Sequence, residues 1–135
     1  MGPNDVKLLS VYTRKAGGTI ADVSLPVDSD FEVVVEVKAG YTVFGDGTLY
    51  ETGIVLRDFA ANDLIPANPA RFGPEGMASA GQYWPNQANR FVYTVAAANL
   101  VGRENHICEL LAFLRVRVTD PDVAFVTGHN FIIMP

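Results

Sequence analysis

Residues 30–38, Asp-Phe-Glu-Val-Val-Val-Glu-Val-Lys, alternate with a period of two: Phe31, Val33, Val35 and Val37 fall on one face, Glu32, Glu36 and Lys38 on the other. Successive side chains leave a pleated backbone on opposite sides, so β-branched residues alternating with charges describe a half-buried strand. On the N-terminal side, Val6–Thr13 is a strand candidate, ended by the turn Lys15-Ala16-Gly17-Gly18. Thr19–Leu25 is a second, short one that Pro26 closes. On the C-terminal side, Gly40–Gly47 reads as a loop through its Gly45-Asp46-Gly47 turn, and Tyr50–Phe59 as the next strand.

From Ala60 to Asn89 periodicity collapses among Pro66, Pro69, Pro74 and Pro85 and Gly73, Gly76 and Gly81. A connection of that length is uncommon in a compact domain and is usually functional or mobile. Alternation returns at Arg90–Ala97, and Ala96–Leu100 has modest helical character that Gly102 would stop. His106–Val118 is the longest strand candidate, with Cys108, Leu110, Ala112, Leu114, Val116 and Val118 as its apolar face. The turn Asp120-Pro121-Asp122 precedes two short strands, Val123–Val126 and Phe131–Met134, parted by a Gly128-His129-Asn130 turn. About eight strands joined by connections too short for βαβ crossovers imply antiparallel neighbours in two packed sheets. The expected fold is all-β: one antiparallel β-sandwich over residues 1–135, immunoglobulin-like or jelly-roll, with one long Pro/Gly-rich loop.

Composition narrows the function classes. With 135 residues, 49% hydrophobic and 19% charged, the chain can bury a core and does not read as disordered. A net charge of −5 argues against a nucleic-acid surface, which needs clustered Lys and Arg. It also disfavours electrostatic docking on anionic lipid. No apolar run approaches a bilayer-spanning length, and the N-terminus lacks the charged-then-apolar pattern of a signal peptide, so neither feature is expected. The single cysteine, Cys108, sits in an apolar run and reads as a small buried hydrophobe.

No catalytic motif accompanies the strands. There is no Gly-x-Ser-x-Gly elbow, Cys108 lacks an electropositive helix start, and Glu32 and Glu36 read as one solvated strand face. His106, Cys108 and His129 have no metal-ligand spacing, the two histidines read as solvated, and no metal or cofactor is expected. The long loop is the richest candidate site. Gln82-Tyr83-Trp84-Pro85-Asn86-Gln87 sets the sole Trp beside a Tyr amid amides. Sugar rings present apolar C–H faces that stack on aromatics, while amides and Arg bind their hydroxyls. The candidate ligand-binding residues are therefore Tyr83 and Trp84 as stacking platforms, with Asn86, Gln87 and Arg71 as hydroxyl partners. The competing reading folds Trp84 and Phe72 back as a lid over an open end of the sandwich. Tyr41 and Phe44 would extend the aromatic platform if their loop lies beside the long one.

Three stretches carry a family resemblance: Val6–Val11, Phe31–Val37 and the Gly-apolar-x-apolar-x-Asp run Gly53–Asp58. Together they resemble the opening strands of the C-terminal β-sandwich of Wzt-type polysaccharide ABC exporters. The resemblance implies an eight- or nine-stranded sandwich that binds polysaccharide and often dimerises. It covers the first half of the chain, and no family binding residue maps onto a position here; the second half departs, reading Gly102-Arg103-Glu104-Asn105-His106-Ile107 where the family carries Gly-x-Tyr. The functional expectation is a non-catalytic recognition module for a carbohydrate. The alternative is an assembly protein that self-associates as a homo-oligomer through an edge strand, such as Phe131–Met134, or through the long loop.

Overall fold

A computed structural model describes residues 6–39, 49–69, 71–72, 88–117 and 123–135. Its strands are β1 (Val6–Lys15), β2 (Ser24–Pro26), β3 (Phe31–Ala39), β4 (Leu49–Asp58), β5 (Asp63–Leu64), β6 (Arg71–Phe72), β7 (Ala88–Val95), β8 (Ile107–Arg117) and β9 (Val123–Met134). A 3-10 turn, Ala97–Leu100, stands where helical character was expected, and Gly102 follows it at φ +82°, a conformation that glycine adopts without strain.

The strands form two sheets. One runs β1-β3-β7; the other runs β2-β9-β8-β4-β5, with β6 also on β4. Every pairing is antiparallel except that of β2 with β9. The order β1-β3-β7 against β4-β8-β9 is the A-B-E against C-F-G arrangement of an immunoglobulin-like sandwich. The chain changes sheets between β1 and β2, so its N-terminal part edges both.

The organising strand lies at the centre of its sheet: Phe31, Val33, Val35 and Val37 are fully buried. They face Cys108, Leu110, Ala112 and Leu114 of β8, which are also fully buried, as the alternation required. Cys108 is the small buried hydrophobe that the sequence suggested. A bulge between Leu8 and Ser10 in β1 shifts the pleat by one residue. Leu8 and Val11, of opposite parity, thereby both reach the core. The Tyr93 hydroxyl donates to the Thr52 carbonyl at 2.8 Å, and Thr52 Oγ1 donates to the Phe113 carbonyl at 2.8 Å. The first bond ties β7 to β4 across the sandwich, the second joins β4 to β8 within one sheet, and both satisfy polar groups that water cannot reach. On the outer face, Arg14–Glu32 and Arg90–Glu36 form cross-strand ion pairs, so the two glutamates are half-buried and partnered rather than simply solvated.

Two expectations are corrected. Thr19–Val23 is not a strand: Ile20 is 79% exposed, and Asp22 N–H donates to the Thr13 carbonyl in a loop that folds back along β1. Gly128-His129-Asn130 is not a turn; it lies inside the twelve-residue β9, paired with β8 throughout. A Cβ on Gly128 would collide with the Leu110 carbonyl oxygen, so this glycine permits a close approach of two strands instead of a reversal.

Candidate functional site

Two places stand out, one polar and one built of backbone. The polar one joins the end of β4 to the connection before β8. Asp58 is fully buried. Its Oδ1 accepts the backbone N–H groups of Ala60 and Ala61 at 2.9 and 3.1 Å, turning the chain into the β4–β5 hairpin. Its Oδ2 takes Arg103 Nη1 at 2.7 Å and His106 Nδ1 at 2.7 Å. Arg103 also grips both oxygens of Asp63, at 2.6 and 3.1 Å, and its Nε donates to the Asn99 carbonyl at 2.9 Å. Burial pushes the Asp58 carboxyl up, but hydrogen bonds from His106, Arg103 and Ala61 N–H outweigh it and leave the pKa at about 2. The Asp63 bond and the Asp58 pair, against desolvation, raise Arg103 further above its ordinary range.

The arrangement holds chain segments together. An Asp–His pair can orient a base, yet the nearest candidate nucleophile, Cys108, is fully buried, and burial followed by the Asp58 charge pushes its thiol up to about 12. The Arg103 guanidinium fills the space between the two carboxylates where a cation would sit, and no group of three or more His, Cys, Asp or Glu among the described residues could hold a metal. The two histidines differ from the solvated expectation. His106 is a quarter exposed and bound to Asp58, and His129 is half-buried in β9 with an unpartnered buried Nε2. The cluster left no local signature, because Asp58 and Arg103 lie 45 residues apart.

The second place is the outer edge of β9. Among the described residues, β2 is the one strand beyond β8 that pairs with it, over Ile132–Met134. Ile132 N–H donates to the Val23 carbonyl, and the Met134 carbonyl accepts from Val27 N–H, so even-numbered residues of β9 turn their backbone groups to that side. Among the described residues, no strand pairs there along Val123–Phe131. The whole strand contains no Asp, Glu, Lys, Arg or Pro. Other edges carry the devices that discourage strand addition. β1 has Lys7, Arg14, Lys15 and its bulge; β7 meets an isolated bridge from Asn68; β4 is flanked by β5 and β6. The expected need of Phe131–Met134 for an outside partner is thus mostly met within the chain by β2, and the open edge lies just before it.

Of the sequence-derived ligand residues, Tyr83, Trp84, Asn86 and Gln87 lie outside the described residues, as do Tyr41, Phe44 and the Asp120-Pro121-Asp122 turn. Arg71 is in β6, its backbone opposite Gly53 of β4. The described strand ends that flank these segments, Ala39, Leu49, Ala88, Arg117 and Val123, lie at one end of the sandwich, away from Asp58. An open groove of about 480 Å³ runs along β4 beside residues 64–67 and has no charged side chain in its lining.

No family model matches the chain, and no curated protein does. Among solved structures, the chain is similar to AggA, the major subunit of aggregative adherence fimbriae type I from Escherichia coli. Identity is 9%, the match covers 97% of this chain and 95% of that one, and the TM-score is 0.48.

Proposed function

We propose that this protein is a non-catalytic β-sandwich subunit that assembles by adding a strand along the open edge of β9. One observation carries the reading: a long edge strand free of charge and of proline, unpaired among the described residues along Val123–Phe131. An unguarded edge presents a row of backbone donors and acceptors that another strand can satisfy, and proteins that do not use such an edge blunt it. The Asp58–Arg103–His106 cluster supports the same reading as a structural clasp, since each charged group in it is already matched. Carbohydrate recognition through Tyr83, Trp84, Asn86, Gln87 and Arg71 rests on sequence alone.

Light scattering coupled to size exclusion, across a wide concentration range, tests the proposal. A reversible, concentration-dependent oligomer that survives Trp84→Ala is the expected result. A monomer at every concentration would sink the assembly reading and make a glycan array the next measurement. An oligomer that Trp84→Ala dissociates would move the interface to the long loop.

A further inference from the structure

We infer that the sandwich has one proton-sensitive seam: charging of His129 parts β1 from β9, while the opposite seam between β7 and β4 stays closed. The inference does not depend on the assembly reading above.

The two sides of the sandwich are closed by different chemistry. On one side the Tyr93 hydroxyl donates across to the Thr52 carbonyl. The segment after β5 completes that closure. Ile65 N–H donates to the Leu56 carbonyl of β4, and Asn68 and Thr94 of β7 exchange backbone bonds at 2.8 Å each way. Backbone amides and a phenol hydroxyl carry no charge to gain or lose in mildly acidic water. On the other side β1 lies against β9. Here the His129 ring bonds the Val11 backbone. Beside it, Asp22 N–H donates to the Thr13 carbonyl and Ile132 N–H to the Val23 carbonyl, so the loop between β1 and β2 straps the two strands together. An imidazole is the side chain whose charge changes between about pH 5 and 8, and this seam holds one.

The position of His129 suits the neutral ring. It stands opposite Leu110 of β8, on the inward face of β9 that also carries Phe131 and Ile133. Its Nε2 is buried and has no hydrogen-bond partner. In a neutral ring that nitrogen can be a bare acceptor; in the imidazolium both nitrogens are donors, so the same atom becomes a charged N–H with nothing to receive it. No neighbouring charge compensates. On β1, Tyr12 and Arg14 fall on the outer face, where Arg14 pairs with Glu32 at 2.8 Å. Lys7 and Lys15 stand at the two ends of that strand's contact region, and Lys15 reaches Asp22 at 3.4 Å. On β8, Glu109 lies on the outer face, and the inward Cys108 thiol is pushed up to about 12 and stays neutral. β3 sets the apolar Val35 opposite Val11, and β2 has no titratable side chain. Burial outweighs the Val11 bond and favours the uncharged ring. The proton therefore binds the parted seam better than the closed one. Opening is constant above the ordinary histidine range and grows as pH falls through and below it.

Residue-by-residue amide hydrogen exchange on the full chain tests the inference, with each rate at pH 7 and pH 5 divided by its intrinsic value. Protection of the Asp22 and Ile132 N–H groups should fall about tenfold at pH 5, while that of Asn68 and Thr94 holds. His129→Gln, which cannot charge, should abolish the fall, and His106→Gln should retain it. Undiminished protection at Asp22 and Ile132 would overturn the inference. Equal loss at both seams would do the same, since it reports global acid unfolding, and so would a fall that survives His129→Gln or disappears in His106→Gln. Should His129→Gln fail to fold, nitrogen-15 shifts of the wild-type ring decide: a ring that charges at or above about 6.5 while Ile132 stays protected rejects the coupling.

Discussion

Asp58 shows how one residue can fix the approach of two distant chain segments. Its carboxylate is fully buried and takes four hydrogen bonds, two from the hairpin it begins and two from side chains beyond the 3-10 turn. Replacing it with Asn leaves Arg103 and His106 short of their charged partner, and should cost about 2–4 kcal/mol, read as a fall in Tm of roughly 10 °C. The acid limb of stability follows from the same contacts. A carboxyl held at about 2 when folded, and near 3.9 when unfolded, contributes stability that is complete above the unfolded value. That contribution, on the order of 2 kcal/mol, is lost as pH falls from about 4 toward 2. Denaturant midpoints measured from pH 6 to pH 2 should show this loss in the wild type and much less of it in Asp58→Asn. His129 acts in a higher window. Burial lowers its pKa, outweighing the bond to the Val11 backbone, so the fold favours the neutral ring and loses stability as pH drops below the ordinary histidine range.

At the scale of elements, alternation was a reliable guide wherever one face of a strand is buried. β3, β4, β7 and β8 appear within a residue or two of their expected limits, because a one-residue slip would turn Val33 or Leu110 into water. The misreadings have physical causes. Ile20 and Val23 supply the apolar residues of a short strand, but their segment is held by backbone bonds from Asp22 to Thr13 and from Ile132 to Val23, and both side chains stay exposed. Gly128 carries the composition of a turn, yet its lack of a side chain serves close approach of β9 to the backbone of Leu110. Gly128→Ala should therefore destabilise by about 2–3 kcal/mol through steric displacement, since the obstacle is a carbonyl and not a flexible side-chain end. Thermal unfolding of the variant measures it; an unchanged Tm would mean that β9 relaxes freely away from β8. The clasp could not have been read in advance, because its members come from three separate segments and no spacing rule links them. The open edge was half legible: the uncharged composition of Val123–Met134 is plain in the sequence, but which part of it lies free depends on β2.

At the scale of the whole molecule, net charge and edge chemistry pull in opposite directions, and that opposition gives the proposed assembly through β9 a salt dependence of definite sign. Each copy carries −5, so two copies repel at long range, while β9 contributes no Asp, Glu, Lys or Arg to a strand pair. Raising sodium chloride from 0.1 to 1 M shortens the Debye length from about 10 Å to about 3 Å and screens that repulsion. Backbone bonds between paired strands are short-ranged and are scarcely screened. Association through β9 should therefore strengthen with salt. The smaller sheet offers the contrary case: its outer face is a ladder of Arg14, Glu32, Glu36 and Arg90, and an interface built on exchanged ion pairs there would weaken as salt rises. Sedimentation equilibrium across that salt range gives the sign directly. A dissociation constant that falls places the contact on the uncharged edge, and one that climbs steeply would transfer it to the charged face and remove β9 from the interface.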